Sequence, residues 1–480
     1  MAALCLLSAC AVGPNFRSPA PPATNHYGAS DAEMLSADGA TQTVEPGGAV
    51  DPAWWRLFGS PALDALVTDG LKHSPTLVSA RAALGASGAQ ARAGAGVFFP
   101  SVSGSFAATR ERIAPAQFDQ SGPGSTFSLY TLAGSVGYAL DLFGGERRAY
   151  EALRAQATYQ RHALGAARLL LTGNIVDAAI AHAGYADEAA TLADIVHLDQ
   201  DLRDIAQAQF KSGQAAWSAV LLAEQQLDAD RQSLTQVDQK LAASTTLLGT
   251  LTGREPAEAL PPLPVLDELL VPAAAPVSLP SRLVRQRPDI LEAEATMHEA
   301  SAQVGVATAA LFPSIDISGD YGATSTALSR LAGPAARFWS IGPSVDVPIF
   351  RGGALWFGRK AAQQTLLETQ AGYRQTVLTA LEQVADQLEA LDVDAANARA
   401  GRAAFDAARE NQTLASANLT AGVIAGADAM AIQSQALRER LVLIAVRTQR
   451  LQDVVGLYIA CGGGWTGHEE DAPAEAAAGR

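Results

Sequence analysis

The sequence predicts a mixed α/β membrane protein that assembles from several copies of one duplicated chain. Three observations support this fold class: a tandem repeat, four short segments in which apolar and polar residues alternate, and two long stretches without proline. The alternating segments have the period of β-strands, and the proline-free stretches leave room for very long helices. Each half of the chain therefore supplies both kinds of element.

Composition excludes several classes of protein. The chain has 480 residues, of which 48% are hydrophobic, and 34 Lys and Arg against 49 Asp and Glu give a formal charge of −15. Nucleic-acid-binding proteins need a basic face, so no nucleic acid is expected as a partner. No stretch approaches the roughly 20 uninterrupted apolar residues of a membrane-spanning helix. We therefore expect any contact with a membrane to involve strands.

The N-terminus resembles a bacterial lipoprotein signal. Residues 7–10, Leu-Ser-Ala-Cys, have the small residues that precede the cysteine lipidated in such signals, so Cys10 is the predicted lipidation site. The leader, residues 1–10, is short and lacks Lys and Arg, which a misplaced start codon would explain. An ordinary apolar N-terminus is the alternative. Residues 11–50, rich in Pro, Gly, Ala and Ser, are predicted to form an extended tether.

The remainder of the chain is a tandem duplication. Four pairs of matching residues occur in the same order, at offsets of 213, 213, 207 and 209 residues: Pro75 and Pro288, Pro100 and Pro313, Phe143 and Phe350, Gly213 and Gly422. Such self-similarity predicts two copies of one structural unit. We assign residues 51–277 to the first repeat and 278–465 to the second, each with a helix, two strands, a long helix and a return helix. Residues 466–480 are predicted to be a disordered tail.

Each repeat contains two segments with a period of two. The clearest is 314–322, where Ile315, Ile317 and Tyr321 alternate with serines and aspartates. Residues 128–142 and 338–349 follow the same pattern, and 101–110 do so more weakly. If the apolar faces meet lipid, parity directs four carboxylates to a water-filled lumen: Asp141, Asp316, Asp320 and Asp346. Ordinary solvation of a polar lining explains these four residues as well.

Each strand pair is followed by a long helical pattern. No proline lies between Pro123 and Pro256 or between Pro348 and Pro473, which predicts helices over about 146–210 and 354–419. At about 1.5 Å per residue, each helix would be on the order of 100 Å long. Gly213 and Gly422 lie where a left-handed cap would end these helices.

Four strands are too few to close a membrane barrel, because the smallest such barrels have about eight and an open edge in lipid leaves backbone groups unpaired. If the alternating faces meet lipid, several chains must therefore pool their strands. A soluble sheet is the alternative for any single segment. The helices are too polar for lipid and are expected to extend the strands into an aqueous compartment.

Four motifs are specific to one family. They are CAVGPNF at 10–16, WWRLFGSPALD at 54–64, RPDI at 287–290 and GLYIACGGGW at 456–465. In them the chain resembles the TolC-like outer-membrane factors, particularly the NodT-type lipoprotein channels of multidrug efflux systems. The resemblance implies a homotrimer whose 3 × 4 = 12 strands form an outer-membrane β-barrel, continued by a long periplasmic α-helical barrel.

The resemblance also implies a function. The chain would be a passive exit duct for drugs or other small toxic compounds, lipid-anchored in the outer membrane and extending into the periplasm. Its partners would be outer-membrane lipid, a periplasmic adaptor (membrane fusion) protein and an inner-membrane transporter, most often a proton-driven resistance-nodulation-division pump. A type I protein-secretion duct and a non-transporting periplasmic coiled-coil scaffold are the alternatives.

Nothing in the sequence points to an enzyme. The motifs His-Glu-x-x-His, Cys-x-x-Cys and Gly-x-Ser-x-Gly are missing from the sequence. Residues 353–361, GALWFGRKA, come close to a nucleotide-binding loop, but the lysine is shifted and no Ser or Thr follows it. We expect no enzymatic activity, no metal and no cofactor other than the covalent lipid on Cys10.

The resemblance assigns roles near the ends of the long helices. Gly213 and Gly422 would lie at hairpin tips that contact the adaptor, although purely conformational caps explain both. Asp428 aligns with an aspartate that lines the entrance constriction, and a place at a helix start explains it equally well. The polar lock that closes TolC is replaced here by three apolar residues: Leu419, Ile424 and Ala219.

Overall fold

The computed structural model describes residues 11–24, 26–27, 34–37, 40–114 and 123–463. These residues belong to two compact units, and each unit takes segments from both halves of the sequence. Unit 1 comprises Met1–Pro19, Ala83–Gln160 and Ala293–Tyr373; unit 2 comprises Ala20–Ala82, Arg161–Glu292 and Arg374–Arg480. The predicted lipidation site Cys10 and the predicted tail, 466–480, lie outside the described residues.

Helices account for most of the described chain. Their bounds are α1 Pro61–His73, α2 Pro75–Gly94, α3 Gly145–Lys211, α4 Trp217–Leu251, α5 Pro280–Leu283, α6 Pro288–Ala309, α7 Ala354–Thr420 and α8 Gly426–Ala460. The long helices α3 and α7 each have 67 residues, and the return helices α4 and α8 each have 35. Equal lengths in the two repeats agree with the predicted duplication, and the long helices begin and end within a residue or so of the predicted bounds.

A four-stranded antiparallel sheet forms part of unit 1. Its strands are β3 Ser101–Ile113, β4 Ser125–Leu140, β6 Ser314–Ser325 and β7 Arg337–Asp346, in the order β3-β4-β6-β7. These are the four alternating segments of the sequence, two from each repeat. Pro343, which lacks a backbone N–H, lies in the edge strand β7, where a missing ladder bond is tolerated.

A second, three-stranded sheet lies in unit 2. It contains β1 Met34–Ala37, β2 Ala40–Pro46 and β5 Ala274–Val277, with β2 antiparallel to β1 and parallel to β5. The sequence predicts only an extended tether for residues 11–50, so these two strands were missed. Their short length and the neighbouring Pro and Gly residues conceal a strand pattern.

Three of the four family motifs meet in the core of unit 2. Trp54 is 1% exposed and stacks on Tyr458, with ring centroids 5.1 Å apart. The Trp55 indole N–H donates to Asp64 at 2.9 Å, and Arg287 donates to the carbonyl of Ala460 at 2.9 Å. Residues from the three separated motifs are therefore explained by packing and hydrogen bonding rather than by a shared functional site.

Cys461 follows the last turn of α8. Its side chain is buried, and burial raises the pKa of its thiol to about 11. A neutral thiol is a poor nucleophile, so this cysteine acts as a small apolar core residue.

Replacing Trp54 with Ala should lower the free energy of unfolding by about 3–5 kcal/mol, because the surrounding rings are left facing a cavity. Denaturant unfolding of the purified protein measures this change. Leu57→Ala is the matched control, since Leu57 lies in the same turn but is 46% exposed. Equal losses in the two variants would contradict the assignment of Trp54 to the core.

Candidate functional site

The two faces of the four-stranded sheet differ sharply in chemistry. Strand register places Val102, Val136, Gly319 and Ile341 in one row across the sheet, and the adjacent row holds Ser103, Ser135, Asp320 and Ser340. Apolar and polar rows alternate in this way because side chains on successive strand residues point to opposite faces.

The apolar face has no cover within the described chain. Its larger side chains are widely exposed: Val102 by 76%, Trp339 by 73%, Ile341 by 73% and Tyr321 by 63%. Monomeric soluble proteins rarely leave a contiguous apolar face of this size open to water. The sheet therefore needs an apolar medium or further protein against this face.

Both edges of the sheet are also open. Among the described residues, strand β3 pairs only with β4 and β7 only with β6, so each edge presents backbone groups with no partner in that part of the chain. Exposed edges are ready templates for pairing with another chain. An arrangement with two open edges and an open apolar face is incomplete as a single chain.

The predicted lumen-facing carboxylates lie on the polar side of the strand pattern. Asp320 accepts hydrogen bonds from the Ser135 hydroxyl at 2.6 Å and from the Ser340 hydroxyl at 3.1 Å. This bridge joins three adjacent strands. Asp316 is exposed four residues earlier, in the same polar set. That this face lines a lumen remains a prediction.

Three of the four carboxylates line one recess at the end of the sheet: Asp141, Asp316 and Asp346. Asp141 accepts hydrogen bonds from the Glu146 and Arg147 backbone N–H groups at 3.2 and 3.0 Å, so it caps the start of α3. Asp346 pairs with Arg351 at 3.1 Å. Two of the predicted lining residues thus have local structural partners, which parity alone did not indicate.

The segment after the predicted lipidation site docks within unit 1. The Val12 N–H donates to the Phe143 carbonyl at 3.0 Å, and the buried Arg148 donates to the side chain of Asn15 at 2.6 Å. Phe16 stacks on His298 with ring centroids 4.3 Å apart. These contacts join residues more than 100 positions apart in sequence, so the composition of the segment did not reveal them.

The carboxylate of Glu151 contacts the two side chains that hold this docked segment. Glu151 accepts hydrogen bonds from Arg148 at 2.7 Å and pairs with His298 at 2.9 Å. Burial would raise the pKa of Glu151, but the Arg148 and His298 partners outweigh burial and lower it below its usual value. Glu151 therefore stays ionised and fixes the two side chains that hold the N-terminal segment.

The two helical hairpins have tips of the same design. Gly213 and Gly422 have φ values of 74° and 73°, and a Cβ at either position would meet nothing within 4 Å. The N–H groups of Gln214 and Val423 donate to carbonyls five residues earlier, at 2.8 Å in each tip. Both glycines thus end their helices with the same left-handed cap. Contact with an adaptor remains a prediction.

Asp428 lies in the first turn of α8 and is exposed. Nearby, Leu419 is 43% exposed and Val423 is 69% exposed, so the second tip presents apolar side chains to solvent. Phe210 and Trp217 lie against each other on the first tip, with ring centroids 5.1 Å apart. The tips are therefore apolar and aromatic, with Asp428 close to them in sequence.

A buried charge cluster in unit 2 was not identified from the sequence. Arg438 of α8 donates to both oxygens of Asp230 in α4, at 3.1 and 2.7 Å, and to Asp199 in α3 at 3.3 Å. The Asp199 and Asp230 side chains are only 4% and 7% exposed. The cluster thus ties the second hairpin to both helices of the first. Its members lie up to 239 residues apart, beyond the reach of any local pattern.

The two acids of this cluster titrate differently. Burial and the neighbouring Asp230 raise the pKa of Asp199 to about 6. For Asp230, burial opposes ionisation, but hydrogen bonds from Arg438 and Asp199 lower its pKa to about 2. At pH values between these two, the pair holds one proton and one negative charge beside Arg438.

Two other features of the described residues bear on function. No group of three or more His, Cys, Asp and Glu side chains among them is placed to hold a metal ion. One helix, α3, contains a window apolar enough by length and composition to cross a membrane, but 56% of that window is buried inside the protein. Such burial is typical of a core helix.

Comparisons with known proteins match nearly the whole chain. The outer membrane efflux protein family matches residues 66–254 and 279–463. Outer membrane protein OprJ of Pseudomonas aeruginosa is 29% identical over 470 residues, 96% of this chain and 94% of OprJ. The toluene efflux pump outer membrane protein TtgC of Pseudomonas putida is 28% identical over 468 residues, 96% of this chain and 94% of TtgC. The solved outer-membrane channel OprN has a TM-score of 0.82 at 26% identity, covering 95% of this chain and 100% of that chain.

The raised pKa of Asp199 predicts a pH-dependent stability. Folding keeps Asp199 protonated up to about pH 6, whereas in the unfolded chain it ionises near its usual value, so its contribution falls as pH rises through 6. Asp199→Asn should therefore gain on the order of 1–2 kcal/mol relative to wild type between pH 5 and pH 8. Denaturant unfolding at each pH measures the difference.

Asp230→Asn is the matched control. It removes the negative charge that Asp230 holds beside Arg438 at both pH values, so it should destabilise the protein at both. An Asp199→Asn difference from wild type that does not change with pH would show that Asp199 is ionised throughout.

Proposed function

This chain belongs to the outer membrane efflux protein family and is an outer-membrane efflux channel, and on that premise we propose that three copies form one passive exit duct. The observation that carries the proposal is the four-stranded sheet, whose apolar face and two edges are uncovered. Lipid against the apolar face and further copies at the edges would complete it. A periplasmic scaffold would leave this face unexplained.

The strand order supports edge-to-edge assembly. Each neighbouring pair in β3-β4-β6-β7 is antiparallel, so β7 runs opposite to β3. When β7 of one copy meets β3 of the next, the new pair is antiparallel as well. Identical copies can then close into a ring. The number three, which gives a 12-stranded barrel, rests on the family resemblance.

We assign the two hairpins of each copy, α3–α4 and α7–α8, to a helical barrel in the periplasm. Their tips would meet a periplasmic adaptor through the surfaces around Gly213 and Gly422. An inner-membrane transporter of the resistance-nodulation-division type would supply the energy, and the duct itself would carry out no reaction.

The placement of residue 11 supports a lipid on Cys10. A Cβ added to Gly144 would lie 2.6 Å from the Cα of Ala11, so the two backbones touch. Gly144 follows the end of β4, where the predicted membrane-spanning sheet gives way to helix. A lipid on the preceding residue would therefore start beside the membrane boundary.

The choice of exported compounds depends on the whole pump and not on this channel alone. TtgC is described as a component of a toluene efflux pump, and by similarity we propose small toxic compounds as the cargo here. The polar sheet face, with Asp316 and Asp320, would line the water-filled path. A passive duct of this kind selects by size and charge rather than by a binding pocket.

Single-channel recording tests the proposal. Full-length protein purified in detergent should migrate as a cross-linkable trimer and insert into planar bilayers with stepwise conductance. Heat-dissociated protein is the control and should give no steps. A chain that stays monomeric in mild detergent and gives no conductance would refute the duct.

Asp428→Ala tests the predicted carboxylate ring at the entrance. Three carboxylates around one axis attract cations, so their removal should lower the preference for K⁺ over Cl⁻ by about twofold or more without closing the duct. Reversal potentials in a KCl gradient measure this ratio. Glu410→Ala, which removes one exposed acid from α7, is the matched control. If the preference for K⁺ over Cl⁻ is unchanged in Asp428→Ala, the carboxylate ring is refuted and Asp428 keeps only its role at the start of α8.

A further inference from the structure

The segment between β7 and α7 and the first turn of α7 carry an exposed apolar collar, which we define as Ile349, Phe350, Trp356 and Phe357. These side chains are exposed by 91%, 86%, 52% and 65%. The alternation of β7 continues through the exposed Val347 and Ile349, so the collar prolongs the apolar face of the sheet. A surface continuous with a membrane-facing sheet is itself placed at the membrane boundary.

The first repeat shows that exposure at this position is not required by the fold. Phe143, which matches Phe350, stacks on Phe312 with ring centroids 4.7 Å apart and an interplanar angle of 18°. Phe350 is almost fully exposed at the corresponding place. The duplicated position is therefore half-buried against another ring in one repeat and stays open in the other.

Two cations lie directly over the collar. In the first turns of α7, the Arg359 guanidinium lies 5.9 Å and the Lys360 ammonium 5.7 Å from the ring centroid of Trp356. These three residues occupy positions i, i+3 and i+4 and so share one face of the helix. Neither cation forms an ion pair in the described part of the chain, and the buried Arg359 Nε atom has no hydrogen-bond partner there.

The charge pattern around this site differs from that of the whole chain. The protein carries a net charge of −15, yet residues 347–367 contain three basic residues and no acidic ones. Of the three, Arg351 is paired with Asp346. Arg359 and Lys360 are therefore available to bind an anion from outside the chain.

We propose that Trp356, Arg359 and Lys360 form a binding site for the headgroup phosphate of anionic phospholipid in the periplasm-facing leaflet. Trp favours the interfacial zone of a bilayer, where its ring reaches the hydrocarbon and its N–H reaches water. Lys and Arg beside it extend their charged ends to the phosphate layer. The inference rests on the proposed function, because it requires the sheet to lie in the membrane.

Fluorescence quenching in lipid nanodiscs tests this site. The full-length channel is reconstituted with phosphatidylglycerol or phosphatidylcholine brominated on the acyl chains, and subtraction of a Trp356→Phe variant isolates the quenching of Trp356. Brominated phosphatidylglycerol should quench at a lower mole fraction than brominated phosphatidylcholine. Arg359→Gln and Lys360→Gln should each weaken this preference roughly 5-fold.

Arg374→Gln is the matched control, since Arg374 is exposed on the same helix, 374 − 360 = 14 residues after Lys360. It should leave the lipid preference unchanged. Equal quenching by the two lipids in a conducting wild-type channel would overturn the inference. So would a conducting channel whose Trp356 neither lipid quenches, because a second copy would then cover the collar. If the proposed function itself is wrong, the wild-type protein will give no conductance, which distinguishes that outcome from a failure of the lipid site.

Discussion

The structure depends on a backbone constraint: a sheet in an apolar medium must pair every peptide group. Four strands in the order β3-β4-β6-β7 leave one row of N–H and C=O groups open at each side. Their apolar face, with Trp339 and Ile341 both 73% exposed, equally lacks a cover. The long helices α3 and α7, with 67 residues each, follow directly in sequence on strands β4 and β7 of this incomplete sheet.

The duplication explains how one chain builds two different units. Each unit draws on both halves of the sequence, so neither repeat is a compact domain by itself. The motif residues most specific to the family, among them Trp54, Arg287 and Tyr458, lie in the core of unit 2. These residues contribute packing and hydrogen bonds, so the motifs identify a fold rather than a reactive centre. The repeats differ where they face outwards, as the stacked Phe143 and the open Phe350 illustrate.

Local rules predicted much of this architecture. The lack of proline and the two glycines at 213 and 422 fixed the extents of α3 and α7, and a period of two located all four strands. Contacts between residues far apart in the sequence could not be predicted by these local rules. The Arg438 cluster joins positions 239 residues apart, and the docking of residues 12–16 depends on Arg148. Parity placed Asp141 on a polar face, but only the structure shows that its oxygens cap α3. Lipidation of Cys10, adaptor contact and the entrance role of Asp428 stay predictions.

The open strand edges also govern how newly made subunits mature. Each copy exposes two pairing templates, β3 with 13 residues and β7 with 10, and an exposed strand edge can pair with an unrelated strand. If the correct partner is another copy, as proposed, the rate of correct pairing depends on the local concentration of copies, whereas pairing with unrelated strands does not. Slow synthesis therefore prolongs the time during which the strand edges of each copy are exposed. Under the proposed assembly, factors that shield those edges would therefore matter most when the protein is made at a low level.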